Sequence, residues 1–506
     1  MLDSLLDESS TKFPLNTALV FEDKMYTYAD LCRLTRSLSA ALLEQGVQPG
    51  DRIAFLLPNC LEIVLCYYAC FKIGAIAVPL NIRFPADLLQ YAINHSGARF
   101  LISEPNLFSE IEKIRPSLSE VKQYYLTSRS SEFEGVRPFQ ELLQAGSASE
   151  AKMLSANDPA AIYYTSGTTG LPKAVIHTHA SLARATQLQI DQIVITSADI
   201  TLILFPICYL IGFGSQILPF HKAGGTCVLL PRFEPQAVLA AIETHKPTKT
   251  YGFPKLYHEL INCPDAGVYN VKSLNFCFSA GEAIAVSIQR RFKQIFGIEI
   301  TEGCGMTELQ IYSMNPPYGQ KKAGSIGKPI AGMEVSLLDD PGRSISTPRQ
   351  IGEIIVRGGS MTLGYWRDAE LTSQTIKNGW FHTGDLAYRD EQGFYWFVSR
   401  KSEIIKNEAG LVSPLEVEGA LYEHPAVSEA GAIGVPDAFG SEVPKAYVVL
   451  REGAAPLAES QLIEFLRSRL PGYKVPTHIT FAESLPHGPT GKIDRKSLRD
   501  QALATH

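Results

Sequence analysis

The stretch Tyr163-Tyr164-Thr165-Ser166-Gly167-Thr168-Thr169-Gly170-Leu171-Pro172-Lys173-Ala174-Val175 decides how the rest of the chain is read. An apolar lead-in, Ala161 to Tyr164, runs into a segment where hydroxyl side chains and two glycines precede a single lysine. Glycines let backbone N–H groups approach an anion, hydroxyls add donors, and the lysine supplies positive charge. The composition is that of a loop that grips phosphate, and it is more specific than an ordinary Ser/Thr/Gly-rich surface turn. It is not a P-loop, which needs four residues between its first glycine and a Gly-Lys pair; here the lysine follows Pro172.

The loop sits in a chain of 506 residues, a length that allows two to four domains at about 100 to 200 residues each. Hydrophobic residues make up 45% and charged residues 19%, the balance of a packed globular protein. Lysine plus arginine number 46 against 52 acidic residues, a net charge of −6 without a basic block, so nucleic acid is not an expected partner. The nine cysteines are scattered, odd in number and free of C-x-x-C pairs, which suits thiols in a reducing compartment. Met1 to Phe13 lacks the basic start of a secretory signal, so the cytoplasm is the expected location. Leu61 to Leu80 is the most apolar stretch, yet Glu62, Lys72, Gly74 and Pro79 interrupt it; a buried helix followed by a strand is expected there, not a membrane span.

Helical patterns alternate with short β-branched runs, as in Ala86 to Asn94 before Phe100 to Ile102, and Pro235 to His245 before Lys249 to Phe253. That alternation predicts α/β layers with mainly parallel sheets. From about Gly352 the character changes. Strands are expected at Gly352 to Arg357, Phe394 to Ser399, Val427 to Val435 and Lys445 to Leu450, and helices at Pro414 to Tyr422 and Glu459 to Leu470. The fold expected is a large N-terminal domain of layered α/β subdomains, residues 1–399, and a small α+β C-terminal domain, residues 400–506, with the short polar segment Ser399 to Ser402 as pivot.

Four further motifs stand downstream of the loop: Ser279-Ala280-Gly281-Glu282-Ala283, Glu302-Gly303-Cys304-Gly305-Met306-Thr307-Glu308, Gly379-Trp380-Phe381-His382-Thr383-Gly384-Asp385, and Pro489-Thr490-Gly491-Lys492. In this order the set resembles the adenylate-forming superfamily of acyl-CoA synthetases, peptide-synthetase adenylation domains and luciferases, and the likeness runs through most of the chain.

The resemblance implies the following roles. Thr165, Ser166, Gly167, Thr168, Thr169, Gly170 and Lys173 bind the phosphates of ATP. Gly281, Glu282 and Ala283 pass along the adenine, where small residues let backbone approach a flat ring. Thr307 contacts the α-phosphate, and Glu308 holds Mg²⁺, a cation that prefers hard carboxylate oxygen. Asp385 accepts both ribose hydroxyls, Arg400 is a second ribose contact, and Lys492 bridges carboxylate and α-phosphate during adenylation. Thr307, Glu308 and Lys492 thus form the catalytic set.

The chain also departs from the pattern. Cys304 replaces a tyrosine that stacks on adenine, Ala174 a glycine, and Ser402 a hinge aspartate or lysine; Glu408-Ala409-Gly410 stands where two adjacent glycines are common.

The implied reaction converts a carboxylic acid and ATP to acyl-AMP and pyrophosphate, then transfers the acyl group to a thiol, that of coenzyme A first. Loading of a carrier-protein phosphopantetheine is the alternative, and a catalytically reduced nucleotide- or acyl-AMP-binding protein is the alternative of another class. Tyr209 falls at the gate of the acyl pocket. Leu210 falls where amino-acid-activating relatives carry an aspartate for the ammonium, so an α-amino acid is disfavoured, because a buried ammonium without its partner is costly. Tyr209, Tyr251, Phe253, Ala280 and Gly281 together outline an apolar pocket for an aryl or medium-chain acid.

Overall fold

A computed structural model of the chain describes residues 1–128, 133–144, 154–165, 171–437, 441–488 and 493–504. Two compact units divide the chain. The first comprises Met1–Ala323, Gly327–Glu334 and Val356–Phe381; the second comprises Gly324–Ile326, Val335–Ile355 and His382–His506. The expected pivot at Arg400 to Ser402 falls within the second unit.

Two large mixed sheets build the first unit. One has nine strands in the order Lys328–Pro329, Gln310–Met314, Ile300–Met306, Phe276–Ser279, Lys249–Gly252, Ile200–Ile203, Thr226–Leu229, Thr17–Phe21, Lys24–Thr27. Its central strands pair in parallel and its margins antiparallel. The crossover helices, Pro235–His245 among them, cover the parallel core, as parallel strands require. The other sheet has eight strands, with Ile76–Pro79, Arg52–Leu56, Phe100–Ser103 and Gln123–Leu126 in parallel. Beside them Pro159–Thr165 and Lys173–Thr178 pair antiparallel, so the segment with the phosphate-type composition lies between two antiparallel strands in sequence rather than between a strand and a helix.

Leu61–Ile73 is a helix with all but two of its residues buried, capped by Gly74 in the left-handed conformation, and Ile76–Pro79 is the strand after it. The interrupting residues explain this: Gly74 supplies the positive φ of the cap and Lys72 reaches Asp7 at 2.5 Å. Among the described residues no helix is long and apolar enough to cross a membrane. All nine cysteines are thiols rather than disulfide sulfurs.

In the second unit a three-stranded sheet, Val427–Pro436, Glu442–Leu450 and His478–Phe481, packs its apolar side on helices Pro414–Tyr422 and Glu459–Arg467. Within this unit Glu418 is buried and takes a forked contact from Arg495, at 2.7 Å from Nη2 to Oε2 and 3.1 Å from Nε to Oε1. Burial pushes the Glu418 carboxyl up against the pull of that guanidinium. A second carboxylate, Glu403, lies 3.2 Å from Arg495 Nη1. Removing the guanidinium leaves a buried carboxylate uncompensated, so Arg495→Ala should cost about 3 to 5 kcal/mol. Urea unfolding of the full chain, with hydrogen exchange of the Val427–Pro436 amides, measures it; unchanged protection there would contradict this account.

Candidate active site

The geometry of the site follows from one strand, Lys173–Thr178. Strand residues two apart share a face, so Lys173, Val175 and His177 point the same way. Gly364–Tyr365 adds to its outer edge with Tyr365 opposite Val175, which sets the Tyr365 ring between Lys173 and His177 on that face. His177 and Tyr365 then meet the turn that joins Ile300–Met306 to Gln310–Met314. His177 Nε2 lies 2.7 Å from the Thr307 carbonyl oxygen, which only accepts, so Nε2 carries the proton. Tyr365 donates its hydroxyl to Glu308 Oε1 at 2.8 Å. Lys173 Nζ lies 5.9 Å from the centre of the Tyr365 ring, within cation–π range. The backbone of the turn is held as well, since Thr362 N–H donates to the Glu308 carbonyl at 2.7 Å.

Thr165 and Lys173 are directly opposed across the hairpin and bracket the phosphate-type loop. Ser166, Gly167, Thr168, Thr169 and Gly170 lie outside the described residues, as does Lys492. Thr307 is half-buried and Glu308 buried. Cys304, half-buried on the strand before the turn, receives a contact of 3.1 Å from the Tyr312 hydroxyl.

Gly281, Glu282 and Ala283 form an exposed segment after strand Phe276–Ser279. Gly281 has φ +91°, and a Cβ there would stand 2.7 Å from the Phe253 ring, so only glycine fits. Buried Glu302 fixes the far end of this segment, accepting from Ile284 N–H at 3.3 Å and from Gln289 Nε2 at 3.1 Å.

Phe253 meets Phe205 edge-on at 4.2 Å between ring centres, and Ala280 is buried beside Gly281. Tyr251 is fully buried in its strand, edge-on to Phe276 and Phe278, with its hydroxyl 3.4 Å from Gln189 Oε1. Tyr209 is half-buried, and burial pushes its phenol up to about 12. The loop before it is pinned by residues far off in sequence. Asn59 donates to the Phe205 and Leu230 carbonyls at 3.0 and 3.1 Å and accepts from Ile207 N–H at 2.8 Å, and Tyr67 donates to the Ile207 carbonyl at 3.0 Å.

The second unit carries its own constellation. Asp385 and Arg400 are opposite one another on antiparallel strands Trp380–Arg389 and Tyr395–Arg400, with Arg400 Nε 2.8 Å from Asp385 Oδ1. Asp385 is only 4% exposed. The turn before it is fixed by Thr383 Oγ1, which accepts from Asp385 N–H at 3.0 Å and donates to the Ile354 carbonyl at 2.7 Å. Gly384 N–H donates to Glu353 Oε1 at 3.2 Å, and the Gly384 carbonyl accepts from Lys401 N–H at 2.8 Å.

Sequence reasoning missed His177, Tyr365, Asn59, Glu302 and Glu353. His177 alone left a signal, an isolated histidine two residues past Val175 on the strand that follows the loop; the others are joined to their partners only by the fold.

The AMP-binding enzyme family model matches residues 6–366, and the AMP-binding enzyme C-terminal domain model matches residues 416–492. The long-chain-fatty-acid–CoA ligase of Bacillus subtilis (strain 168) is 32% identical over all of this chain and 95% of its own length. The feruloyl-CoA synthase of an Amycolatopsis species is also 32% identical, over 96% of each. The crystal structure of the anthranilate CoA ligase AuaEII in complex with anthranoyl-AMP superimposes with a TM-score of 0.93 at 31% identity, over all of this chain and 97% of that one.

Burial drives the His177 imidazolium from its ordinary 6.5 down to about 4. The unfolded chain therefore takes up the proton first, so this group's stabilisation is complete above pH 6.5 and is lost as the pH falls toward 4. His177→Gln keeps a donor for the Thr307 carbonyl but cannot titrate. The slope of unfolding free energy against pH between 4 and 6.5 should be shallower in the variant by roughly one proton. Urea midpoints at a series of pH values read this, and parallel slopes would contradict it.

Proposed function

Given that the chain belongs to the family of AMP-binding enzymes, we propose that it is an AMP-forming acid–thiol ligase that activates an aryl or medium-chain carboxylic acid and passes it to coenzyme A. The acid's own carboxylate attacks the α-phosphorus of ATP, giving acyl-AMP and pyrophosphate; the thiol then displaces AMP to give the thioester. No side-chain nucleophile is needed, so the protein's task is positioning and charge stabilisation.

The observation that carries this reading is the Thr307–Glu308 turn, locked by His177 on one side and Tyr365 on the other. In this reading Thr307 takes the α-phosphate, and the half-buried Lys173 with Thr165 takes the outer phosphates. Asp385 receives the ribose hydroxyls with Arg400 beside it, and Gly281 to Ala283 and Cys304 flank the adenine. Cys304 is too small to stack as an aromatic ring does, so the base rests more on the glycine segment.

Glu308 suits Mg²⁺. It is a buried carboxylate with one oxygen fixed by a phenol. A cation shared between one carboxylate and substrate phosphates is the usual Mg²⁺ arrangement. When bound, it offsets phosphate charge and the charge of departing pyrophosphate.

Residues 400–506 act as a lid in this proposal. They turn about Arg400 to Ser402 so that Lys492 serves the first half-reaction and the Lys406 to Gly410 loop serves the second. Gly410 has φ +142° at the end of the hairpin Ile405–Asn407 and Gly410–Val412, a conformation open to glycine. The cytoplasm suits the nine thiols.

Carboxylate-dependent ATP–pyrophosphate exchange across fatty, benzoic and cinnamic acids tests the first step, followed by coenzyme A against a holo carrier protein. Absence of exchange with every acid would leave the nucleotide-binding alternative. Lys492→Ala should nearly abolish exchange while sparing thioester formation from supplied acyl-AMP; equal loss of both would refute the lid assignment. Tyr365→Phe removes one hydrogen bond to a carboxylate, about 1.5 to 3 kcal/mol, so kcat/KM for exchange should fall roughly ten- to hundredfold with a higher Mg²⁺ requirement. An unaltered Mg²⁺ dependence would sink the role given to Glu308.

A further inference from the structure

Gln310 opens strand Gln310–Met314, two residues past Glu308, with its backbone in the left-handed region at φ +59°. It is 5% exposed. A non-glycine residue held in this conformation in a buried place is strained, and such strain concentrates at ligand-contacting positions. Its Oε1 accepts from Ser215 Oγ at 3.3 Å. Its Nε2 is shielded from solvent and has no hydrogen-bond partner among the described residues.

The surroundings tie this amide to the acyl side of the site. Ser215 is buried within the π-helical turn Phe213–Ile217, which follows Tyr209 to Gly212 directly. Turns of that kind are frequent at functional sites. A Cβ on the preceding Gly214 would stand 2.6 Å from Leu210 Cδ1 and 3.4 Å from Gln310 Oε1, so glycine lets Leu210, next to Tyr209, and the amide both lie against this backbone. On the other side, the Gly305 position allows the Gln310 backbone to approach; a Cβ there would be 2.6 Å from the Gln310 carbonyl oxygen. A buried N–H pair without an acceptor is an exception in native proteins and calls for one from outside.

We propose that Gln310 is a specificity-determining residue whose Nε2 donates a hydrogen bond to an oxygen acceptor on the body of the acid, so that the enzyme selects an oxygen-substituted aryl acid over a hydrocarbon acid of the same shape. This rests on the ligase reading above. The contact is made by substrate alone, and a site built to hydrogen-bond a substituent discriminates against the analogue that lacks it, because the protein group is then left buried and unpaired.

Matched acids test it: benzoic and cinnamic acids carrying methoxy or acetyl at the ortho, meta or para position, each against its ethyl or isopropyl counterpart, with kcat/KM for ATP–pyrophosphate exchange as readout. The wild type should favour the oxygenated member at one ring position by roughly tenfold or more, and Gln310→Met should bring that ratio to about one. A wild-type ratio near one at every position overturns the proposal without recourse to the variant. A large ratio that persists in Gln310→Met also overturns it. Absence of exchange with every acid, simple fatty acids included, overturns the ligase reading itself.

Discussion

The carbonyl of Thr307 points into the protein, against a fully buried side chain, and needs a donor there. The donor that meets it is a neutral imidazole. His177 is fully buried, and burial is what keeps it uncharged, so the contact brings no additional charge to the site. From that bond follows the rest of the arrangement. The strand that carries His177 also carries Lys173, two positions before Val175, on the same face, and the short strand paired with it delivers Tyr365 to Glu308. The two-residue period of one strand thereby puts Lys173 and His177 on one face, and its edge partner adds Tyr365, whose hydroxyl meets the Glu308 carboxylate.

Around the Phe205 to Tyr209 loop, the same economy uses distant polar groups. Asn59 satisfies three backbone groups of two loops at once, and Tyr67 satisfies a fourth, while its ring stacks on Phe213 at 3.7 Å between centres. The backbone of the Phe205 to Tyr209 loop is thus hydrogen-bonded from outside although its own residues are mostly apolar. Gly281 completes the wall by letting Phe253 lie against backbone, a contact a Cβ would block. In the second unit Thr383 and Glu353 play the corresponding part for Asp385, anchoring the turn so that the carboxylate faces Arg400 across the strand pair.

Much of the fold was legible because local pattern and tertiary demand agree. Pro235–His245 and Pro414–Tyr422 form with the boundaries their prolines and periodicity predict, and Leu61 to Leu80 divides at Gly74 into helix and strand. The strand Lys249–Gly252 ends one residue before the expected Phe253, which instead precedes the proline that starts the next helix. The antiparallel hairpin around the phosphate-type loop was not legible, since a buried strand reads as an apolar run whichever way its neighbour points. Among the candidate site residues, those in glycine-bearing or charged motifs could be named from the sequence. Their supports were not, because a buried histidine, tyrosine or asparagine carries no local mark of the group it will meet.

By itself the sequence determined the identity and order of the chemical groups: the hydroxyl–glycine–lysine loop, the Thr307–Glu308 pair, Asp385 and Arg400, and an apolar set near Tyr209. These are properties of residue type and spacing, and spacing along a chain survives folding. Only the tertiary structure decided which polar atoms are satisfied. That His177 serves Thr307 across 130 positions, that Tyr365 serves Glu308, and that the amide nitrogen of Gln310 lacks a partner among the described residues all depend on through-space neighbours. Hydrogen bonding acts over about 3 Å, and nothing in a linear order states which segments will come that close.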